Sequence, residues 1–159
     1  MLVRGALPAD AAAIASIAAT CGLSLDVPGE LARPWAQLWL AVDGDRPIAF
    51  LLAWDVADEV HLIDVGTHPD ARRRGAARRL LAQLFEHART RGARLVLLEV
   101  RRSNRAAVRL YESFGFRAVT VRRGYYDGGS EDALEMHATA GPAGSVVNDD
   151  VRSHGATKA

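Results

Sequence analysis

A single cysteine, Cys21, among 159 residues excludes an intrachain disulfide framework and any cysteine-rich metal site. Lysine is almost missing: Lys158 is the only one among the twenty basic residues, so arginine carries nearly all the positive charge. No apolar run approaches the ~18 residues that a membrane-spanning helix needs. The start, Met1-Leu2-Val3-Arg4, lacks the basic stretch and long apolar segment of a secretory signal. The five histidines show no ligand spacing, so no metal is expected. Neither a Gly-Lys-Ser/Thr phosphate loop nor a dinucleotide-binding glycine fingerprint is present. These absences set the expectation of a cytoplasmic protein without a metal and without a membrane partner.

What is there fits one domain with a packed core: 49% of residues are hydrophobic and 25% charged. The expected boundaries are 1–138 for the domain and 139–159 for a disordered tail of Gly, Ala, Ser, Asn and Asp without periodicity. The net charge of +1 conceals a separation. Residues 1–71 carry three arginines against ten acids, or −7; residues 72–123 carry fifteen arginines against three acids, or +12; residues 124–159 stand at −4.

Hydrophobic periodicity gives the element order. Residues 1–7 read as a strand, and residues 8–21 as an alanine-rich helix stopped by Gly22. Residues 23–34 hold Pro28, Gly29 and Pro34, so they read as a loop with at most a short helix. Strands are predicted at 37–42, 47–57 and 59–67, the first two joined by the hairpin signal Asp43-Gly44-Asp45. Ala77, Leu80, Leu81, Leu84, Phe85 and Ala88 form one face of a helix over 76–91. The apolar run over 94–100 predicts a strand covered on both faces. A helix capped by Ser103 or Asn104 follows, then strands at 116–121 and 131–137. The class is α+β: a mixed, mostly antiparallel sheet of six to seven strands flanked by helices.

The turn between the third strand and the following helix is the chemical centre of this pattern. Arg72, Arg73, Arg74, Gly75, Ala76 and Ala77 occupy a helix start, where backbone N–H groups lack intrahelical partners and the macrodipole is positive. Basic residues in a first turn oppose that dipole, and a bound polyanion offsets the cost. Gly75 allows the backbone to approach a phosphate closely. The alternative is a solvated basic helix start.

These residues resemble the acetyl-coenzyme A motif of the GNAT acetyltransferases, Gln/Arg-x-x-Gly-x-Gly/Ala. The stretch Leu98-Glu99-Val100-Arg101-Arg102-Ser103-Asn104-Arg105-Ala106-Ala107-Val108-Arg109-Leu110-Tyr111-Glu112 is similar to the corresponding segment of the RimI-type protein N-terminal acetyltransferases, and Arg122-Arg123-Gly124-Tyr125-Tyr126 continues the likeness. The match spans about residues 62–137. Arg72 stands where glutamine is commoner and Ala77 where glycine is commoner, and residues 22–36 lack the acceptor-holding segment of that group. Pro34-Trp35-Ala36 is too close to the next strand to serve as that segment.

The resemblance implies a GNAT fold with splayed strands and acetyl-CoA as cosubstrate. Val65, Gly66 and Thr67 would hold the acetyl and pantetheine arm, residues 72–77 the pyrophosphate, and Asn104 would touch the cofactor. Glu99 would act as base and Tyr111 as acid. The implied acceptor is the N-terminal amine of a ribosomal protein; such proteins are typically basic, which suits the acidic flanks. No nucleic acid is required, and the protein is expected as a monomer or weak homodimer. The chemistry agrees with these residue types. An α-amine titrates near pH 8 and must lose a proton to attack, and a departing thiolate gains one from a phenol. Other readings of the same residues stand beside these. Glu99 can be the ion-pair partner of an arginine, Tyr111 an amphipathic core residue, and Cys21 a buried structural thiol. Trp35, Trp39 and Trp54 belong to the meander, where one can line an acceptor groove. The acceptor can instead be a small amine. The non-enzymatic alternatives are a basic nucleic-acid-binding module and an acyl-CoA sensor.

Overall fold

The computed structural model describes residues 1–141. The expected tail lies almost wholly outside the described residues. Seven strands are hydrogen-bonded in the order β1-β2-β3-β4-β5-β7-β6: β1 Leu2–Gly5, β2 Ala36–Asp43, β3 Arg46–Val56, β4 Glu59–Thr67, β5 Leu95–Arg101, β6 Arg117–Tyr126 and β7 Glu131–Thr139. Four helices accompany them: α1 Ala11–Thr20, α2 Val27–Ala32, α3 Ala76–Thr90 and α4 Arg105–Ser113. The chain divides into two compact units.

The first unit contains Met1–Ala57 and Leu62–Leu84. Asp10 accepts the Leu7 amide at 2.7 Å and pairs with Arg4 at 2.8 Å, which fixes the entry to α1. Ile14, Ile17 and Ala18 of α1 and Val27 of α2 pack with Leu38, Leu40, Val42, Phe50 and Leu52 of the β2–β3 hairpin. The even-numbered residues of both strands share this face because side chains alternate along a strand. Asp43 pairs in register with Arg46, so Gly44 and Asp45 form the two-residue turn, with Gly44 at φ 60°. The segment expected as a loop with at most a short helix contains the six-residue α2, whose start is capped by Asp26 accepting the Gly29 amide at 3.2 Å.

The second unit contains Asp58–His61 and, among the described residues, 85–141. Here β4 and β5 pair in parallel over only three positions, from Glu59↔Leu95 to His61↔Leu97. β7 runs antiparallel between β5 and β6. Phe85 stacks on Phe114 at 5.8 Å and meets Phe116 edge-on at 5.5 Å, and Tyr111 meets Phe116 at 5.8 Å. Two expectations change here. β5 is not buried on both faces: Val96, Leu98 and Val100 are buried, whereas Leu95, Leu97 and Glu99 are half-buried. β6 continues to Tyr126, five residues past its expected end, because register with β7 carries it through an exposed, arginine-bearing stretch. Among the described residues no helix is long and apolar enough to cross a membrane.

Candidate active site

In the first unit the end of β4 leads through a basic loop into α3. Gly66 is there for space: a Cβ would stand 2.8 Å from Phe50 Cε1 and 3.1 Å from Cys21 Sγ. Cys21 thus has a structural place, and its thiol donates to the Thr67 carbonyl at 3.6 Å. Arg72 Nε donates to the same carbonyl at 3.4 Å, which ties the loop to the strand end. Within the loop Arg73 and Gly75 both adopt left-handed conformations, φ 63° and 84°. Such reversals turn successive amides toward one concavity, a geometry suited to anions. Gly75 has no atom within 4 Å of a Cβ position, so its surface stands open. α3 begins at Ala76 with no acidic residue in its first turn, and its opening amides lack intrahelical acceptors. The loop is therefore suited to an anionic ligand.

Its arginines are not all available for that task. Arg74 pairs with Asp43 at 2.5 Å, and its guanidinium holds that carboxyl below the usual range. Arg46 does the same for Asp70 at 3.0 Å.

The first unit also holds two acids that sequence reasoning left without a role. Glu30 of α2 is buried, accepts from Trp54 Nε1 at 2.8 Å and lies 3.6 Å from Arg33. The Arg33 guanidinium sits 5.2 Å from the Trp54 ring and 5.8 Å from Trp35. Asp64 of β4 is half-buried, and burial, with the charge of Glu30 added, pushes its carboxyl up to about 6. The one sign of Asp64 in the sequence is an acid inside an apolar strand.

Glu99, Asn104 and Tyr111 lie in the second unit. Asn104 caps α4, its side-chain oxygen accepting the Ala107 amide at 3.2 Å. Tyr111 is buried against Phe116. Glu99 is ion-paired with Arg122, whose guanidinium lies 4.9 Å from the Tyr125 ring. That carboxylate holds both the Tyr125 hydroxyl and the Arg122 guanidinium above their ordinary values. Sequence reasoning did not pair Arg122 with Glu99, since nothing local marks a partner 23 residues away.

Residues 16–116 match the family model described as Acetyltransferase (GNAT) family. The chain belongs to the GNAT acetyltransferase family. It is 44% identical over 110 residues to a [ribosomal protein bS18]-alanine N-acetyltransferase of Salmonella typhimurium, covering 68% of this chain and 74% of the relative. The crystal structure of the ribosomal-protein-S18-alanine N-acetyltransferase from Escherichia coli superposes with a TM-score of 0.81 at 30% identity, covering 91% of this chain and 96% of that one. An aminoglycoside 6'-N-acetyltransferase complexed with coenzyme A shares the fold, with a TM-score of 0.77 at 15% identity over 91% of this chain and 100% of that one. The expected fold and the expected acyltransferase activity are thus those of the family, whose members use acetyl-CoA.

Proposed function

We propose that this GNAT enzyme acetylates the α-amine of a protein N-terminus, with an alanine-bearing ribosomal protein as acceptor. The observation that carries this reading is the 44% identity to a bS18-alanine N-acetyltransferase across 74% of that relative's length. In this reading the protein is cytoplasmic, works as a monomer or weak homodimer, and needs no nucleic acid. The central arginines support the last point, because many have acidic partners: Arg74–Asp43, Arg94–Asp58, Arg101–Asp127, Arg102–Asp132 and Arg122–Glu99. These pairs neutralise part of the central positive charge.

Acetyl-CoA supplies the thioester. The backbone of Val65, Gly66 and Thr67 would hold the acyl and pantetheine arm, with the Thr67 carbonyl already taken by Cys21 and Arg72. The backbone amides at Arg72, Arg73, Arg74, Gly75, Ala76 and Ala77, with the Arg73 side chain, would hold the pyrophosphate, while the Arg72 and Arg74 guanidiniums stay with Thr67 and Asp43. Asn104 would contact the cofactor through its amide nitrogen, because its oxygen caps α4. As the amine forms its bond to the acyl carbon, Glu99 accepts the proton that the nitrogen loses. As the carbon–sulfur bond breaks, the Tyr111 hydroxyl donates a proton to sulfur.

Steady-state kinetics on a synthetic peptide with an N-terminal alanine test these roles. Glu99→Gln and Tyr111→Phe should each lower kcat by ~10²-fold or more, within the usual range for proton-transfer groups, and leave the KM for acetyl-CoA nearly unchanged. An unchanged kcat in either variant removes that residue from the chemistry.

A further inference from the structure

Glu99 is not a free carboxylate, and its surroundings explain why. On β5 it stands directly opposite Glu135 of β7 in an antiparallel register. Side chains directly opposite in such a ladder share one face and lie close together, so two carboxylates there repel. Both are only partly exposed, 28% and 29% of the side chain, which limits screening by water. Glu135 has its own partner, His137 Nε2 at 2.9 Å. Unanchored, Glu99 would swing away from its neighbour and sample several rotamers.

Arg122 of β6 supplies the anchor. Its Nη1 binds Glu99 Oε1, and its guanidinium lies 4.9 Å from the centre of the Tyr125 ring. The Glu99 carboxylate also raises the Tyr125 hydroxyl above its ordinary value. Arg122 thus meets both Glu99 and Tyr125, and it joins the carboxylate to the ring. Contact with an aromatic face restricts a planar guanidinium before it binds its acid. The carboxylate is held by a partner that is itself held.

We propose that Arg122, supported by Tyr125, is the positioning residue of this enzyme: it fixes the Glu99 carboxylate in the one orientation from which it receives the acceptor's proton. The inference rests on the assignment of Glu99 as base. Arg122 touches neither acceptor nor coenzyme in this account, and its whole effect passes through Glu99. Misplacing a reacting group by about 1 Å costs as much as ~10²-fold in rate, so loosening this anchor is a kcat effect.

The test is a double-mutant cycle in kcat on the alanine peptide, comparing wild type, Glu99→Gln, Arg122→Gln and the double variant. Arg122→Gln should lower kcat by about tenfold or more in the presence of Glu99 and by less than about twofold in the Glu99→Gln background. Arg122→Lys should recover only part of the rate, since it restores charge without the planar fork. Millimolar guanidinium should raise the rate of Arg122→Ala, an effect that a purely structural role would not give. Coenzyme A affinity, measured on each variant, checks that the fold is intact. An undiminished kcat in Arg122→Gln overturns the proposal, as does an equal loss in both backgrounds. Full activity in Glu99→Gln, or no acetylation of the peptide by wild type, overturns the assignment of the base and the proposal with it.

Discussion

Asp64 gives the account its most quantitative prediction. Its carboxyl titrates at about 6 in the folded chain against an ordinary 3.8, because burial and the neighbouring Glu30 disfavour its charge. Full conversion of that difference gives ~3 kcal/mol; half-burial leaves part of the charge screened by water, so we expect about 1–2 kcal/mol. The sign follows from the raised folded value. Asp64 causes no loss of stability below about pH 4, a growing loss as pH rises toward 6, and its full loss above that. Asp64→Asn keeps the shape and removes the charge. At pH 8 the variant should be more stable by about 1–2 kcal/mol, or ~3–6 °C in Tm for a chain of this length. At pH 5 the gain should shrink to about half. Urea unfolding of both proteins at the two pH values measures the difference. Taking the difference cancels other carboxylates such as Asp43 and Asp70, whose arginine partners give them the opposite pH dependence. A gain that does not change with pH, or a variant less stable at pH 8, refutes the reasoning.

Two further outcomes are expected. Gly66→Ala drives a methyl into Phe50 and Cys21 and should cost ~1–3 kcal/mol in urea unfolding, with Phe50→Leu recovering part of the loss. Asn104→Asp keeps an acceptor for the Ala107 amide, whereas Asn104→Ala loses it and about 1 kcal/mol with it. Both should raise the KM for acetyl-CoA, since both remove the amide nitrogen. A normal KM in Asn104→Asp makes the residue a helix cap alone.

Local signals carried much of this architecture. The β2–β3 hairpin follows from a glycine with the left-handed turn it needs, and α3 from the stripe of Leu80, Leu81, Leu84 and Phe85. The basic turn before α3 was readable because the chemistry of a helix start is local. β6 was cut short because Arg122, Arg123 and Gly124 interrupt the apolar pattern, and their strand conformation comes from pairing with β7. An apolar run could not tell whether β5 was covered on one face or two, since the cover comes from distant segments. For the same reason the sequence left Glu99 between base and ion-pair partner. The structure identifies Arg122 and Tyr125 as its neighbours, and the two readings become compatible if the pair serves to orient the base. Tyr111 is buried, as an amphipathic core residue is, a position that a proton donor can also occupy.

The net charge of +1 likewise resolves into specific pairs. Arg74 is matched by Asp43 from the acidic N-terminal segment, and Arg101 by Asp127 from the acidic C-terminal one. Part of the acidic flank is thus spent within the protein, which leaves less of it to attract a basic acceptor.

The acceptor is the central claim, and one measurement addresses it directly. The enzyme is incubated with acetyl-CoA and three acceptors: a peptide with a free N-terminal alanine and an internal lysine, the same peptide with its α-amine blocked, and a mixture of small amines. Tandem mass spectrometry then locates the added acetyl group. The account predicts acetylation at the alanine α-nitrogen of the first peptide and none on the blocked peptide or the small amines. Modification of the small amines alone, or of the lysine side chain in the blocked peptide, would contradict it.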